Sequence, residues 1–280
     1  MSRLQATGLS AGYTETPIIN HLDLSIPDKK VTAIIGSNGC GKSTLLKTLT
    51  RILPHSAGSI LLDGEHIAKR NTKALAKDMA ILPQSPETTG GLTAGELVSY
   101  GRFPHQRGFG RLTAKDRMII GRAMEQTGTL DYNCRPLDAL SGGQRQRVWI
   151  AMALAQETDM IFLDEPTTYL DLAHQLEVLE LLQHLNETEE RTIVMVLHDL
   201  NHASRFADHI VAMKNGCIVK TGTPDEVIEH VVLKEVFHID AMIGRDPRTQ
   251  KPMCMTYHLL KGENTNEKHT THNRPVTGHA

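Results

Sequence analysis

Residues Gly36-Ser37-Asn38-Gly39-Cys40-Gly41-Lys42-Ser43 satisfy the pattern G-x-x-x-x-G-K-[ST] in full, and they follow the apolar run Val31-Thr32-Ala33-Ile34-Ile35. That run reads as a buried strand, and the segment beyond the loop, Thr44-Leu45-Leu46-Lys47-Thr48-Leu49, reads as a helix. Strand, glycine-rich turn and helix in this order direct backbone N–H groups and the positive end of a helix at one anion. The octapeptide is therefore read as the phosphate loop of a nucleoside triphosphate site, in which Lys42 reaches the β- and γ-phosphates and Ser43 ligates Mg²⁺. A glycine-rich turn before an ordinary helix is the competing reading, and it leaves the required order of elements unexplained.

Three further stretches carry chemistry. The apolar strand Met160-Ile161-Phe162-Leu163 ends in Asp164-Glu165, so both carboxylates emerge at the carboxyl edge of a parallel sheet, where open α/β sheets bind ligands. A second buried strand, Thr192-Ile193-Val194-Met195-Val196-Leu197, ends in His198-Asp199. Leu140-Ser141-Gly142-Gly143-Gln144 opens a helical apolar pattern through Val148, Ala151, Met152 and Leu154, with Ser141 near the cap. Alone, that last stretch is only a helix start able to face an anion.

Combined with the phosphate loop, it is the signature sequence of the ATP-binding cassette family, and from about residue 3 to 260 the chain resembles the ATPase subunit of an ABC transporter. The resemblance implies a P-loop NTPase of the ABC ATPase type: a mostly parallel α/β core sheet, an N-terminal antiparallel β subdomain and an inserted helical subdomain. It implies Glu165 as the base for the attacking water, Asp164 as a Mg²⁺ holder and His198 as a γ-phosphate contact. Gln84, after Met79-Ala80-Ile81-Leu82 and Pro83, matches the glutamine that senses Mg²⁺ and water. Tyr13 matches the aromatic platform for adenine; by the residues alone, core packing stays open as the other reading. Thr167-Thr168-Tyr169-Leu170-Asp171 matches a loop whose Asp171 contacts the opposite subunit. Ser37 and Cys40 replace the commoner proline and serine, without effect on a loop that binds through its backbone.

The resemblance also implies an oligomer. Ser141 and Gly143 of one cassette, in a nucleotide-binding turn with Gly142 and Gln144, face the γ-phosphate held by Lys42 of a second, so the working unit contains two chains, which ATP joins and hydrolysis loosens.

Composition agrees. The chain has 280 residues, 40% of them hydrophobic, enough for a large sheet core plus a helical subdomain. It contains no apolar run long enough for a membrane span and no signal segment at its start, so a cytosolic location, held to a membrane through a partner, is expected. Cys40, Cys134, Cys217 and Cys254 are too scattered for a disulfide framework or zinc site. Cys40, beside a helix N-terminus and Lys42, is expected to be thiolate-prone and protected by nucleotide.

Residues 1–262 are expected to form one cassette, with the helical subdomain at about 86–158. Helical spacing runs through Ala94 to Tyr100 and Asp116 to Thr127, and a hairpin is expected across Asn215-Gly216. Residues 263–280 are polar and expected to be disordered, with His269, His272 and His279 at most a weak metal site. The junction from Gln84 to Gln106 is expected to receive a short permease helix, through Leu92, Leu97, Val98 and Tyr100 with a rim of Arg102, His105 and Gln106.

Three features favour transport over other uses of a cassette. Lys42 and Ser141 lie too close in sequence to enclose the long coiled coil of the DNA-repair branch; one cassette is present, not the tandem pair of the translation branch; and a net charge of −2 with no basic block argues against nucleic acid. The segments Gly95 to Gln106 and Trp149 to Gln156 resemble the ATPase subunits of bacterial iron(III)-siderophore importers of the ferric hydroxamate type, with vitamin B12 and haem importers as near relatives. The implied partners are a second ATPase copy, two integral-membrane permease subunits and, indirectly, a substrate-binding lipoprotein. A soluble cassette ATPase outside transport is the alternative from another class.

Overall fold

A computed structural model describes residues 2–84, 90–106 and 111–260. The polar tail, and the start of the Gln84 to Gln106 junction at residues 85–89, lie outside the described residues.

Two sheets sandwich one helix. The first is antiparallel, in the order β2-β1-β4-β5, from β1 (Ser2–Ala11), β2 (Ile19–Pro27), β4 (His55–Leu62) and β5 (Glu65–His66). The second runs β10-β9-β3-β8-β7-β6 and contains β3 (Val31–Gly36), β6 (Met79–Leu82), β7 (Met160–Leu163), β8 (Thr192–Val196), β9 (His209–Lys214) and β10 (Cys217–Gly222). All its pairings are parallel except the β9–β10 hairpin, which turns at Asn215-Gly216 with Asn215 at a φ of 47°.

Burial explains the two sequence textures. Every residue of β3, β7 and β8 is buried, because both faces of the core sheet are covered, and these strands read as unbroken apolar runs. β2 alternates, since its outer face meets water. The helix after the phosphate loop, α1 (Lys42–Leu49), buries Leu45, Leu46 and Leu49 against Leu9 and Ile19 of the antiparallel sheet and against Phe162, Val196 and Val211 of the core sheet. On the opposite face of the core sheet, Ile35, Ile161 and Leu163 pack with Leu179 and Leu182 of α6 (Leu172–Glu189) and with Phe206 of α7 (Leu200–Phe206).

A helical cluster is formed by α3 (Ala94–Tyr100), α4 (Ala114–Gln126) and α5 (Gly142–Ala155), which pack against one another. Each begins with a capping box: Thr93 with Glu96, Thr113 with Asp116, Ser141 with Gln144. Inside it Arg102 is buried; its Nε bonds Asp116 Oδ1 at 2.9 Å and its Nη1 bonds Ala155 O at 2.7 Å and Glu157 Oε2 at 2.8 Å. The hydroxyl and N–H of Thr113 and this guanidinium hold the Asp116 carboxyl down at about 2.

That packing corrects the expected permease groove. Leu97 and Val98 are 1% and 0% exposed and belong to the core, and Arg102 is an internal ion-pair hub and no part of a rim. Helix α3 turns Leu97 and Val98 toward α5, leaving Tyr100 and Phe103 outside, with ring centroids 5.2 Å apart.

The remaining elements are α2 (Thr72–Asp78), which leads into β6, and the C-terminal α8 (Pro224–Val227), α9 (His230–Phe237) and hairpin β11 (Ile239–Arg245) with β12 (Pro252–Leu259). No helix among the described residues is long and apolar enough to cross a membrane.

Candidate functional site

Neighbouring strands β3, β8, β7 and β6 bring the phosphate loop, His198, the Asp164-Glu165 pair and Gln84 to one edge of the core sheet. Residues far apart in sequence meet there because consecutive parallel strands end on the same side. The cleft they form, of about 460 Å³, is lined by Asn38, Gly39, Gly41, Lys42, Ser43, Thr44, Gln84, Glu165 and His198, together with Ile18, Thr168 and Tyr169.

Gly41 stands at the N-cap of α1 with a φ of 103°, a conformation that strains residues carrying a Cβ. Lys42 follows. Its buried ammonium donates to Gly36 O at 2.9 Å and Ser37 O at 3.0 Å, lying across the loop, and forms no ion pair among the described residues. A buried cation satisfied only by carbonyls is suited to an incoming anion, which would exchange neutral hydrogen bonds for charge-assisted ones.

Asp164 is 3% exposed and accepts a hydrogen bond from Ser43 Oγ at 2.8 Å. Burial pushes its carboxyl above the usual range, the Ser43 bond pulls the other way, and Glu165 adds to the rise. A buried hydroxyl–carboxylate pair whose charged form is disfavoured fits a divalent cation, which would restore ionisation through hard oxygen ligands.

Glu165 has a φ of 54°, in the left-handed region rarely used by such a side chain. Its Oε1 lies 2.6 Å from His198 Nε2, while Oε2 accepts from Gln84 Nε2 and, at 3.0 Å, from Thr168 Oγ1. The carboxylate is held from three sides at the cleft wall.

The other expected residues lie elsewhere. Gly36, Ser37 and Cys40 belong to the loop without lining the cleft. Tyr13 is exposed, with Lys47 Nζ 6.0 Å from its ring centroid. Ser141, Gly142, Gly143, Gln144 and Asp171 form a second cluster, where the N-termini of α5 and α6 meet and Asp171 caps α6. Ile18 carries no sequence signal for a place in the cleft, and Thr168 and Tyr169 belong to a loop expected to face the opposite subunit; Thr168 reaches the chain's own cleft because the chain turns at Glu165.

Cys40 departs from expectation. It is 2% exposed, packs in the core below the loop and comes within 2.6 Å of where a Cβ on Gly36 would lie. Burial raises its thiol above the ordinary range and outweighs the attraction of Lys42, so the thiolate is disfavoured.

A phosphate loop before a helix, a carboxylate at a strand end and a positioned histidine and glutamine define an ATP-binding α/β ATPase. The ABC transporter family model matches residues 19–168, and the chain belongs to that family as an ATP-binding subunit. The iron(3+)-hydroxamate import ATP-binding protein of Bacillus subtilis is 59% identical over 263 residues, covering 94% of this chain and 98% of its own. The ferric enterobactin transport ATP-binding protein of Escherichia coli is 44% identical, covering 91% and 94%. Among solved structures, a chain of an inward-facing metal-chelate type ABC transporter aligns with a TM-score of 0.79 at 26% identity, covering 93% of this chain and 98% of its own. A dimeric bacterial ABC transporter cassette aligns with a TM-score of 0.70 at 26% identity, covering 79% and 98%.

Proposed function

We propose that this chain hydrolyses ATP to drive import of iron(III)-siderophore complexes of the ferric hydroxamate kind, at the cytoplasmic face of a bacterial membrane. The observation that carries the chemistry is the Glu165 carboxylate, anchored by His198, Gln84 and Thr168 in the cleft that Lys42 also lines. The cargo rests on the relatives, since a transported solute never meets the ATPase.

In this reading Lys42 leaves its loop carbonyls for the β- and γ-phosphates, and the N–H groups of residues 36–44 surround them. Tyr13 stacks on adenine. Ser43 and Asp164 hold Mg²⁺, which when bound neutralises phosphate charge. Glu165 takes the proton of the attacking water, His198 contacts the γ-phosphate, and Gln84, already bonded to Glu165, senses both. Ser141 and Gly143 of a second copy close the site, so that loss of the γ-phosphate deletes contacts to both halves.

The pair of ATPases works beneath two permease subunits that receive cargo from a binding lipoprotein. The exposed Tyr100–Phe103 pair, with Leu92 and His105, supports a permease contact placed further along the chain than Leu97. Reconstitution with the permease pair in vesicles tests the whole: ATP turnover and uptake should respond to an iron(III)-hydroxamate and not to cobalamin or haem. Stimulation by cobalamin or haem alone would reassign the cargo, and turnover indifferent to any permease would favour a cassette outside transport.

A further inference from the structure

The two elements expected to face the opposite cassette, the Ser141–Gln144 turn and the Asp171 loop, are joined within one chain by a residue that no motif includes. Asp171 Oδ1 accepts from the backbone N–H of His174 at 3.0 Å and lies 2.7 Å from His174 Nδ1. A carboxylate only accepts, so Nδ1 carries the proton, and the ring is oriented by the bond. The imidazole then lies against the signature turn: a Cβ built on Gly143 would stand 2.5 Å from His174 Cδ2 and 2.8 Å from its Cγ. Leu170 supports the same contact, reaching to 3.9 Å of a Cβ on Gly142.

We infer that His174 is a positioning residue that locks the Asp171 loop and the Ser141–Gln144 turn into one unit, so that both elements engage or leave the opposite cassette together. The inference rests on the paired-ATPase reading. Its physical content is twofold. The Asp171 bond fixes the ring, and the ring takes the space that any side chain at position 143 would need; a shift of the Asp171 loop therefore pushes on the first turn of α5. The pair is half-exposed, so the coupling runs through direct contact: the ring already stands against Gly143, and a displacement toward α5 meets steep repulsion.

The two roles separate by substitution. His174→Asn keeps a donor for Asp171 and removes the ring from Gly143; His174→Phe keeps a ring and removes the donor; His174→Ala removes both. The test uses the full chain. Steady-state ATP turnover gives kcat and KM, ADP affinity reports the chain's own phosphate loop, and ATP-driven dimerisation is read in the Glu165→Gln background.

The expected result is a kcat at least tenfold lower for His174→Ala, intermediate losses for Asn and Phe, a dimer dissociation constant raised about tenfold, and ADP affinity within twofold of the parent. Turnover and dimerisation within twofold of the parent in His174→Ala would overturn the inference; if that variant does not fold, the same result in both Asn and Phe variants would do so. Loss of ADP affinity in step with kcat would overturn it too, since a general packing role damages the chain's own site. Failure of the paired-ATPase reading looks different: the parent Glu165→Gln chain itself would not dimerise with ATP, and the inference would fall with it.

Discussion

His198 Nε2 lies 2.6 Å from Glu165 Oε1, and this contact joins the ends of two adjacent core strands at the wall of the nucleotide cleft. With Gln84 and Thr168 on the other oxygen, the carboxylate is oriented before any water arrives. Replacing Glu165 with Gln keeps the shape and removes the base. Hydrolysis should fall by a factor of roughly 10² to 10⁴, in the range for general base catalysis, while ATP affinity stays and an ATP-bound dimer accumulates. Lys42→Ala should lose the triphosphate itself. Near-normal turnover by Glu165→Gln would show that another group takes the proton.

Thr168 offers a finer test. Its hydroxyl donates to Glu165 Oε2 at 3.0 Å, a single neutral-to-charged bond that orients the base. Thr168→Val should lower kcat about tenfold with KM nearly unchanged, because such a bond is worth roughly 1.5 kcal/mol. A KM that rises while kcat holds would mean that Thr168 binds nucleotide directly.

The cysteine reactivity expected from the motif is reversed by packing. Cys40 and Cys254 are buried, and burial raises both thiols, whereas Cys134 and Cys217 are exposed. Iodoacetamide near neutral pH should label Cys134 and Cys217 in the native chain, leave Cys40 and Cys254 until the chain is unfolded, and spare ATP turnover. Peptide mapping decides it. Rapid labelling of Cys40 that MgATP blocks would restore the earlier expectation.

These outcomes mark what a sequence discloses. β3, β7 and β8 were legible because burial on both faces writes a continuous apolar run, and the groups at their ends were legible because adjacent strands deliver them to one edge. Thr168 and His174 were not, since their reach depends on the left-handed turn at Glu165 and on the capping geometry at Asp171. Cys40 and Arg102 depart from expectation for one reason: charge neighbours are visible in sequence, and depth is not. The exposed Met242, Met255 and Tyr257 of the C-terminal hairpin break the rule that apolar alternation marks a core face.

Docking follows the corrected surface. Tyr100 and Phe103 are exposed, so Tyr100→Asp with Phe103→Asp should leave folding and nucleotide binding intact and abolish permease pull-down and iron-chelate uptake. Leu97→Glu differs in kind. A carboxylate at a site 1% exposed, between α3 and α5, should cost more than about 4 kcal/mol and yield unfolded protein. Normal uptake by the Tyr100/Phe103 double variant would move the permease contact elsewhere.

The helical cluster should weaken in acid through Asp116. Its carboxyl, held at about 2 against an ordinary 3.8 first by Thr113 and then by Arg102, is stabilised in the charged form by folding. A depressed value contributes stability that is complete above about pH 4 and is lost as pH falls toward 2, an amount of about 2 kcal/mol for a gap of this size. Asp116→Asn removes the titrating group and leaves the buried Arg102 with Glu157 as its one charged partner, so it should lower stability at pH 7 by a similar amount. Urea midpoints of parent and variant, followed from pH 7 downward, should converge between pH 4 and 2 as the parent's carboxyl takes its proton. A gap that stayed constant over that window would show that Asp116 acts through packing and not through its charge.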